Sequence, residues 1–187
     1  MLKVKIKKDI FEHMLEELYL IRHAAPDRSI KTPYNIHPGP PLTSDGRQEA
    51  LQTAVWLQDR GIEHLFASPF ERTRETADII VDWLAMPFTY INTLREGAPG
   101  ETMDQIRARM AGLFAQLDNG LLRRVVLISH GAPIRALLQH TTQDRIDLST
   151  HNYDSGNNTP TSGVWHGIRD VTSWSWELAF HPVRELV

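Results

Sequence analysis

Two histidines follow short apolar runs that are typical of buried β-strands. His23 comes after residues 18–21 and Arg22, and His130 comes shortly after residues 125–128. In open α/β sheets, ligands bind in the crevice beyond the carboxyl ends of the strands. Two histidines that end neighbouring strands can therefore meet in one crevice, and the sequence predicts a reactive site there.

Two arginines add positive charge to the same predicted crevice. Arg22 is adjacent to His23, and Arg72 lies in the first turn of a predicted helix that follows a strand. A guanidinium group presents a planar fork of donors that matches phosphate oxygens. His130 precedes another predicted helix, whose free N–H groups favour an anion. The combination predicts a pocket for a dianionic phosphoryl group, and hence a small phosphorylated substrate.

The composition bounds the class of protein. The chain has 187 residues, which is typical of one domain. It has 20 Lys and Arg against 23 Asp and Glu, a net charge of −3 that argues against a nucleic-acid partner. It has no cysteine, so disulfides, thiol catalysis and Cys-ligated zinc are excluded. No signal-peptide pattern and no apolar run of membrane-span length is found, so we expect a cytoplasmic protein with no membrane partner.

The motifs of several other phosphate chemistries are absent. The sequence contains neither G-x-x-x-x-G-K-[ST] nor G-x-G-x-x-G, and it has no H-E-x-x-H. Its nine histidines show no clear metal-ligand spacing. We therefore expect phosphoryl chemistry without a metal ion and without a cofactor.

Apolar periodicity predicts strands that alternate with helices. Thr43 or Ser44 begins a helix that reaches about Arg60, with an apolar stripe of Leu51, Ala54 and Val55. The 141–163 segment is polar and shows no clear period, so it is predicted to be a loop. The alternation indicates an α/β domain with a mostly parallel sheet. The remaining predicted helices are 70–85, 101–117 and 133–140, and the predicted strands are 18–21, 64–67, 88–91, 125–128 and 174–180.

The amino-terminal segment differs in pattern from the rest. Leu2, Val4 and Ile6 alternate with lysines, which is strand-like. We predict a single domain over residues 1–187, in which residues 1–16 form an extension. The extension could pair with a neighbouring copy as a β-arm or bind an acidic surface, so a homo-oligomer stays open.

Four segments of the chain resemble one known family. LYLIRHAAPD resembles the Arg-His-Gly signature of the histidine phosphatase superfamily, which includes the phosphoglycerate mutases. PLTSDGRQEA resembles that family's segment leading into the first helix, and SPFERTRETA its Ser-x-x-x-Arg-x-x-x-Thr motif. VVLISHGAPIRALL resembles its second-histidine motif. The four segments occur in the family's order and span residues 18–140.

The resemblance implies a fold and a set of roles. The fold is a three-layer α/β/α sandwich, phosphoglycerate mutase-like, with a mostly parallel central sheet. His23 would be the nucleophile and become a phosphohistidine, and Glu96 would be the general acid. Arg22, Arg72 and His130 would bind the phosphoryl oxygens, with His130 also counted among the catalytic groups. The family works without metal.

The sequence also departs from the family. Ala24 replaces the usual glycine after the histidine, and Asn35 aligns only loosely with the family's asparagine. The segment after Glu96 is short and lacks the mutase-like continuation, and Glu101 is an alternative general acid. These departures favour a phosphatase acting on a small phosphomonoester. A cofactor-dependent phosphoglycerate mutase and a low-activity phosphate-binding scaffold are the alternatives, and sugar phosphates, nucleotides and phosphohistidine proteins are all open as substrates.

Overall fold

A six-stranded sheet forms the middle layer of the protein. The computed structural model describes residues 14–171 and 173–183. The strands are β1 (Glu17–Arg22), β2 (His64–Ala67), β3 (Phe88–Tyr90), β4 (Arg124–Ser129), β5 (Val164–Asp170) and β6 (Ser173–Phe180). They lie in the order β3-β2-β4-β1-β5-β6, in which the first four are parallel and β5 is antiparallel to both of its neighbours, β1 and β6. The predicted mostly parallel sheet is therefore confirmed.

Helices cover both faces of this sheet. One core contains Tyr19 and Ile21 of β1 together with residues of the first two helices, and the opposite core contains Leu18 and Leu20 with residues of the last two. This alternation follows from the two-residue period of a strand. It confirms the predicted three-layer arrangement. The helices are α1 (Ser44–Leu57), α2 (Glu71–Leu84), α3 (Met103–Asp118) and α4 (Gly131–Thr141), and short 3₁₀ turns occupy Asn92–Leu94 and Asp154–Gly156.

The register between β1 and β4 brings the two histidines to the same level. Arg22 lies opposite Ser129, so the next residue of each strand, His23 or His130, leaves the sheet at the same edge. The His23 backbone N–H donates to the Ser129 carbonyl at 3.0 Å and extends the ladder by one step. Both strands are apolar on both faces, as is usual for a strand buried under two helical layers.

The β5 strand was not predicted from the sequence. Its residues do not alternate between apolar and polar, because Gly167 and Asp170 interrupt the pattern. Gly167 makes room for an aromatic ring, since a Cβ atom there would lie 2.6 Å from the Trp176 indole. The strand is thus specified by packing between neighbours, which a periodicity argument does not detect.

The apolar stripe predicted for α1 is also corrected. Val55 is 49% exposed, and Leu51 is only partly buried. The face that reaches the core carries Ala50, Ala54 and Leu57, all at most 1% exposed. Small alanines suit this position because α1 packs closely against α2.

The predicted amino-terminal extension lies mostly outside the described residues. The proposed β-arm or basic anchor falls within residues 1–13. Of the rest, Leu15 is fully buried in the core, and the Glu16 N–H donates to the Arg123 carbonyl at 2.8 Å. Among the described residues, no helix has the length and apolar character needed to cross a bilayer.

Candidate active site

His23 is held in one tautomer beyond the end of β1. Its side chain is only 1% exposed, and its Nδ1 lies 2.8 Å from the Ala24 carbonyl oxygen. A carbonyl oxygen can only accept, so Nδ1 carries the proton. The Nε2 atom then carries the lone pair of the neutral ring. It faces the Tyr34 hydroxyl, which donates to it at 3.1 Å.

The surroundings of His23 favour its neutral form. Burial lowers the pKa of His23 well below its ordinary value, and the charges of Arg72 and Arg22 lower that pKa further. A neutral imidazole with a free lone pair is the nucleophilic form. The surroundings of His23 therefore favour a neutral ring with its lone pair on Nε2.

His130 lies next to His23 at the N-terminus of α4. The two ring centroids are 5.3 Å apart. Nη2 of Arg72 donates to Nδ1 of His130 at 2.9 Å, so Nδ1 carries the lone pair. The proton of the neutral ring is therefore on Nε2, which donates to the Ser68 hydroxyl at 2.9 Å. Burial lowers the pKa of His130 well below its ordinary value, and Arg72 adds to this effect. In this arrangement His130 orients Arg72 and Ser68.

Arg72 projects from the first turn of α2 into the interior. Its side chain is fully buried, and its Nη1 donates to the Tyr34 carbonyl at 3.0 Å. Its Nη2 lies 3.6 Å from an oxygen of Glu96. Burial lowers the pKa of Arg72, although Tyr34 and Glu96 counteract this. The Nε atom is buried and has no hydrogen-bond partner among the described residues.

Arg22 directly precedes His23 in the chain and is also buried. It is 2% exposed, and its Nη1 donates to the Thr159 carbonyl at 2.8 Å. The same nitrogen lies 3.8 Å from a carboxylate oxygen of Asp154. The Nε atom of Arg22, like that of Arg72, is buried and has no partner in the described part of the chain. Two buried cations with unused donors therefore flank His23, an arrangement suited to an anion with several oxygens.

Glu96 and Glu101 have different surroundings, which bears on the choice of general acid. An oxygen of Glu96 lies 3.7 Å from His130 Nδ1, and its other oxygen accepts from the Gly97 N–H at 2.9 Å. Glu101 instead binds Arg95 and Arg109. Burial acts to raise the pKa of Glu101, but these hydrogen bonds outweigh burial and lower that pKa to about 2. Glu101 is therefore held by its two arginine partners, whereas Glu96 lies beside His130 and Arg72.

The comparison with known proteins decides the family. The sequence pattern of the histidine phosphatase superfamily (branch 1) matches residues 18–98 and 96–164. These two stretches contain every predicted site residue. The chain belongs to the histidine phosphatase superfamily. The resemblance seen in the sequence is confirmed.

Individual relatives agree with this membership. The chain is 24% identical over 142 residues to PhoE of Bacillus subtilis, an uncharacterized phosphatase, covering 64% of this chain and 74% of PhoE. It is 32% identical over 108 residues to a probable phosphoglycerate mutase, GpmB of Escherichia coli, covering 56% of this chain and 50% of GpmB. The chain thus spans about half the length of that mutase. Superfamily membership and these names support phosphatase or mutase activity.

A solved structure matches the fold. A mycobacterial glucosyl-3-phosphoglycerate phosphatase superposes with a TM-score of 0.67 at 19% identity, covering 88% of this chain and 97% of that one. The phosphoglycerate mutase-like architecture predicted for this chain is therefore confirmed.

The departure at Ala24 is accommodated by its neighbours. Ala24 is fully buried, and its N–H donates to the Thr76 hydroxyl at 3.0 Å. Thr76 in turn donates to the Arg72 carbonyl at 2.6 Å. The Ala24 methyl group therefore fits, and Thr76 fixes the backbone that follows His23. Asn35 is exposed, and the structure assigns it no contact with the site residues.

Sequence reasoning missed two residues that contact the site. Tyr34 lies in a proline-rich loop, residues 24–41, where no periodic pattern indicates which side chain turns inward. Asp154 lies in the polar 141–163 segment, which was predicted to be a loop without further detail. Ser68 begins the Ser-x-x-x-Arg-x-x-x-Thr motif, in which the sequence predicts a role only for Arg72.

A cavity of about 370 Å³ opens beside Arg22. It adjoins the site and is large enough for the organic part of a small substrate. The cavity is lined by Arg22, Ala25, Pro26, Arg28, Asp154, Ser155 and Thr161.

Within the described part of the chain, no group of three or more His, Asp or Glu side chains is arranged to hold a metal ion.

Proposed function

We propose that this histidine phosphatase hydrolyses a small phosphomonoester, without a metal ion, through a phosphohistidine on His23. One observation carries the proposal. His23, with a neutral ring favoured and its lone pair on Nε2, is within electrostatic reach of two buried guanidinium groups whose Nε atoms have no partner among the described residues. Positioning and charge neutralisation are the main requirements of phosphoryl transfer. These two arginines supply the positive charge that neutralises the phosphoryl oxygens.

The first step transfers the phosphoryl group to the protein. The Nε2 lone pair of His23 forms a bond to phosphorus, and the bond from phosphorus to the leaving oxygen breaks. Arg22 and Arg72 donate to the phosphoryl oxygens as charge spreads over them. The leaving oxygen takes the electron pair of the broken bond and a proton from Glu96.

The second step regenerates the protein. Water attacks the phosphohistidine while the Glu96 carboxylate accepts one of its protons. The bond from Nε2 to phosphorus breaks, its electron pair returns to the ring nitrogen, and inorganic phosphate leaves. His130 acts in both steps by orienting Arg72, because its Nδ1 accepts from that guanidinium. Its direct contact with phosphate stays a prediction.

The test of this function is phosphate release from p-nitrophenyl phosphate in the presence of EDTA. We expect robust turnover and a phosphoenzyme that is labile in acid but stable in base, as a phosphohistidine is. Loss of turnover in EDTA that returns with a divalent metal would contradict the metal-free route. A base-labile phosphoenzyme would contradict the histidine nucleophile.

A phosphoglycerate mutase is the second candidate, favoured by the similarity to GpmB. A mutase returns the phosphoryl group to a second hydroxyl instead of to water. Incubation with 3-phosphoglycerate and a bisphosphate primer separates the two. Isomerisation faster than phosphate release would establish the mutase reaction, and phosphate release alone would support the phosphatase.

The role of Glu96 predicts a dependence on the leaving group. The Glu96→Gln variant retains the shape of the side chain but cannot donate a carboxyl proton. Loss of general acid catalysis costs about 10²–10⁴-fold. We expect the single-turnover rate of phosphoenzyme formation from an alkyl phosphate to fall by about that factor, and the same rate from p-nitrophenyl phosphate to fall much less, because p-nitrophenolate leaves without a proton. The single-turnover rate is used because Glu96 also activates water in the second step, which both substrates share.

A matched carboxylate provides the control for this experiment. Glu75 pairs with Arg47 near the surface, outside the site. Glu75→Gln should leave the ratio of the two rates unchanged. Equal losses in the rate of phosphoenzyme formation from both substrates in Glu96→Gln would show that Glu96 does not supply the proton to the leaving oxygen.

A further inference from the structure

Tyr34 occupies the position from which His23 must attack. The lone pair of Nε2 lies in the plane of the imidazole ring, and the Tyr34 hydroxyl donates to it at 3.1 Å. A phosphorus atom in an attack conformation lies at about the same distance, on the axis of the same lone pair. One lone pair serves one partner at a time. The hydroxyl and the phosphoryl group therefore exclude each other.

The same residue also engages the phosphate-binding arginine. The Tyr34 carbonyl oxygen accepts from Arg72 Nη1 at 3.0 Å, where a phosphoryl oxygen would accept. The Tyr34 ring lies against two cations, with guanidinium carbons at 4.1 Å for Arg72 and 4.9 Å for Arg28. Such contacts are stabilising because the face of an aromatic ring is electron-rich. Tyr34 thus makes hydrogen bonds both to His23, the proposed nucleophile, and to Arg72, which is part of the proposed anion site.

The loop that carries Tyr34 is anchored at both ends by backbone hydrogen bonds, and between those ends Tyr34 is held by side chains of the site. The Asp27 N–H donates to the Pro41 carbonyl at 2.8 Å, and the Pro38 carbonyl accepts from the Glu71 N–H at 2.8 Å. Gly39 permits close approach, since a Cβ atom there would lie 2.6 Å from Arg72 Nη1. The loop can therefore release Tyr34 while its ends stay in place.

We propose that Tyr34 is a specificity-determining residue that masks His23 and Arg72 and is displaced by the phosphoryl group of the substrate. The proposal rests on the proposed function, because it takes Nε2 of His23 as the attacking atom. A dianion displaces Tyr34 because it replaces both lost contacts and also uses the Nε donors of Arg22 and Arg72. A neutral molecule or a single-oxygen anion replaces fewer of these contacts. Tyr34 thereby selects for phosphomonoesters.

The Tyr34→Phe variant tests the hydroxyl alone, since the ring and the backbone carbonyl remain. Two readouts do not depend on turnover. The first is the rate at which diethyl pyrocarbonate modifies His23, measured by mass spectrometry of the peptide. The second is the affinity for inorganic phosphate, measured by calorimetry. We expect both to rise by about threefold to tenfold, the range set by one neutral hydrogen bond.

Tyr153 provides a matched control. Its hydroxyl lies 3.4 Å from Nδ1 of His151, so it is a second tyrosine–histidine pair. Tyr153→Phe should change the rate at which diethyl pyrocarbonate modifies His151 and leave the rate at His23 unchanged. A thermal melt of each variant confirms that it is folded.

The outcomes separate this proposal from the proposed function. Unchanged or slower modification of His23 in Tyr34→Phe, or weaker phosphate binding, would overturn the mask and show that the hydroxyl helps to hold the phosphoryl group. If neither the parent protein nor the variant binds phosphate, the proposed function fails, and the modification rate still decides whether Tyr34 covers Nε2.

Discussion

Replacing His23 with alanine should abolish phosphate release. The substitution removes the atom that forms the bond to phosphorus, and no other described side chain presents a lone pair at that position. We expect kcat on p-nitrophenyl phosphate to fall by on the order of 10⁴-fold or more, as is usual when a covalent nucleophile is removed. The phosphoenzyme trapped with the parent protein should also disappear. The measurements are the initial rate with EDTA and trapping of the phosphoenzyme by an alkaline quench.

Two further variants control this experiment. His23 is 1% exposed, so alanine leaves a cavity, and His23→Asn fills more of that space without supplying the nucleophile. Both should be inactive while circular dichroism shows a folded protein. His140 is exposed near the end of α4, and His140→Ala should retain full activity. Substantial turnover in His23→Ala, or phosphoenzyme formation in that variant, would rule out the proposed route.

Replacing Arg72 with lysine should produce the second largest loss of activity on p-nitrophenyl phosphate. Lysine keeps the positive charge but not the planar fork. In the structure the fork donates to Tyr34 and His130 and lies 3.6 Å from Glu96, which a single ammonium group cannot reproduce. Loss of one such preorganised donor costs about 10²–10³-fold, and we expect kcat/KM to fall by that factor. Steady-state kinetics on p-nitrophenyl phosphate measure it.

An exposed arginine gives the matched control. Arg107 pairs with Asp144 at the surface, so Arg107→Lys makes the same chemical change where no phosphate is expected. It should leave kcat/KM unchanged. Because Arg72 is buried, the melting temperature of its lysine variant is measured alongside the kinetics. If Arg72→Lys stays folded and keeps kcat/KM within a few-fold of the parent, Arg72 does not bind the phosphoryl group through its fork.

The alternation of strands and helices could be predicted from apolar periodicity. The 125–128 run and the 101–117 stripe are strong local patterns, and β4 and α3 form close to those bounds. Local patterns failed where tertiary packing decides the structure. The β5 strand depends on Gly167 under Trp176, and the buried face of α1 depends on close contact with α2. Neither signal is present in the residues of the element itself.

The sequence by itself determined the family, the mostly parallel sheet and the residue types gathered at its edge. His23, Arg22, Arg72 and His130 could be singled out because strand ends and helix starts are local features, and parallel strands deliver their carboxyl ends to one edge. The distance of 5.3 Å between the two histidine rings follows from the β1–β4 register.

The tertiary structure alone decided which groups are paired with which. Burial depends on the whole fold, and burial lowers the pKa of His23. The choice between Glu96 and Glu101 required the positions of Arg95 and Arg109, which lie on different elements. The contact of Tyr34 with His23 depends on the path of a loop without periodic pattern. These are properties of side chains brought together from separate segments, and short-range sequence patterns do not encode them.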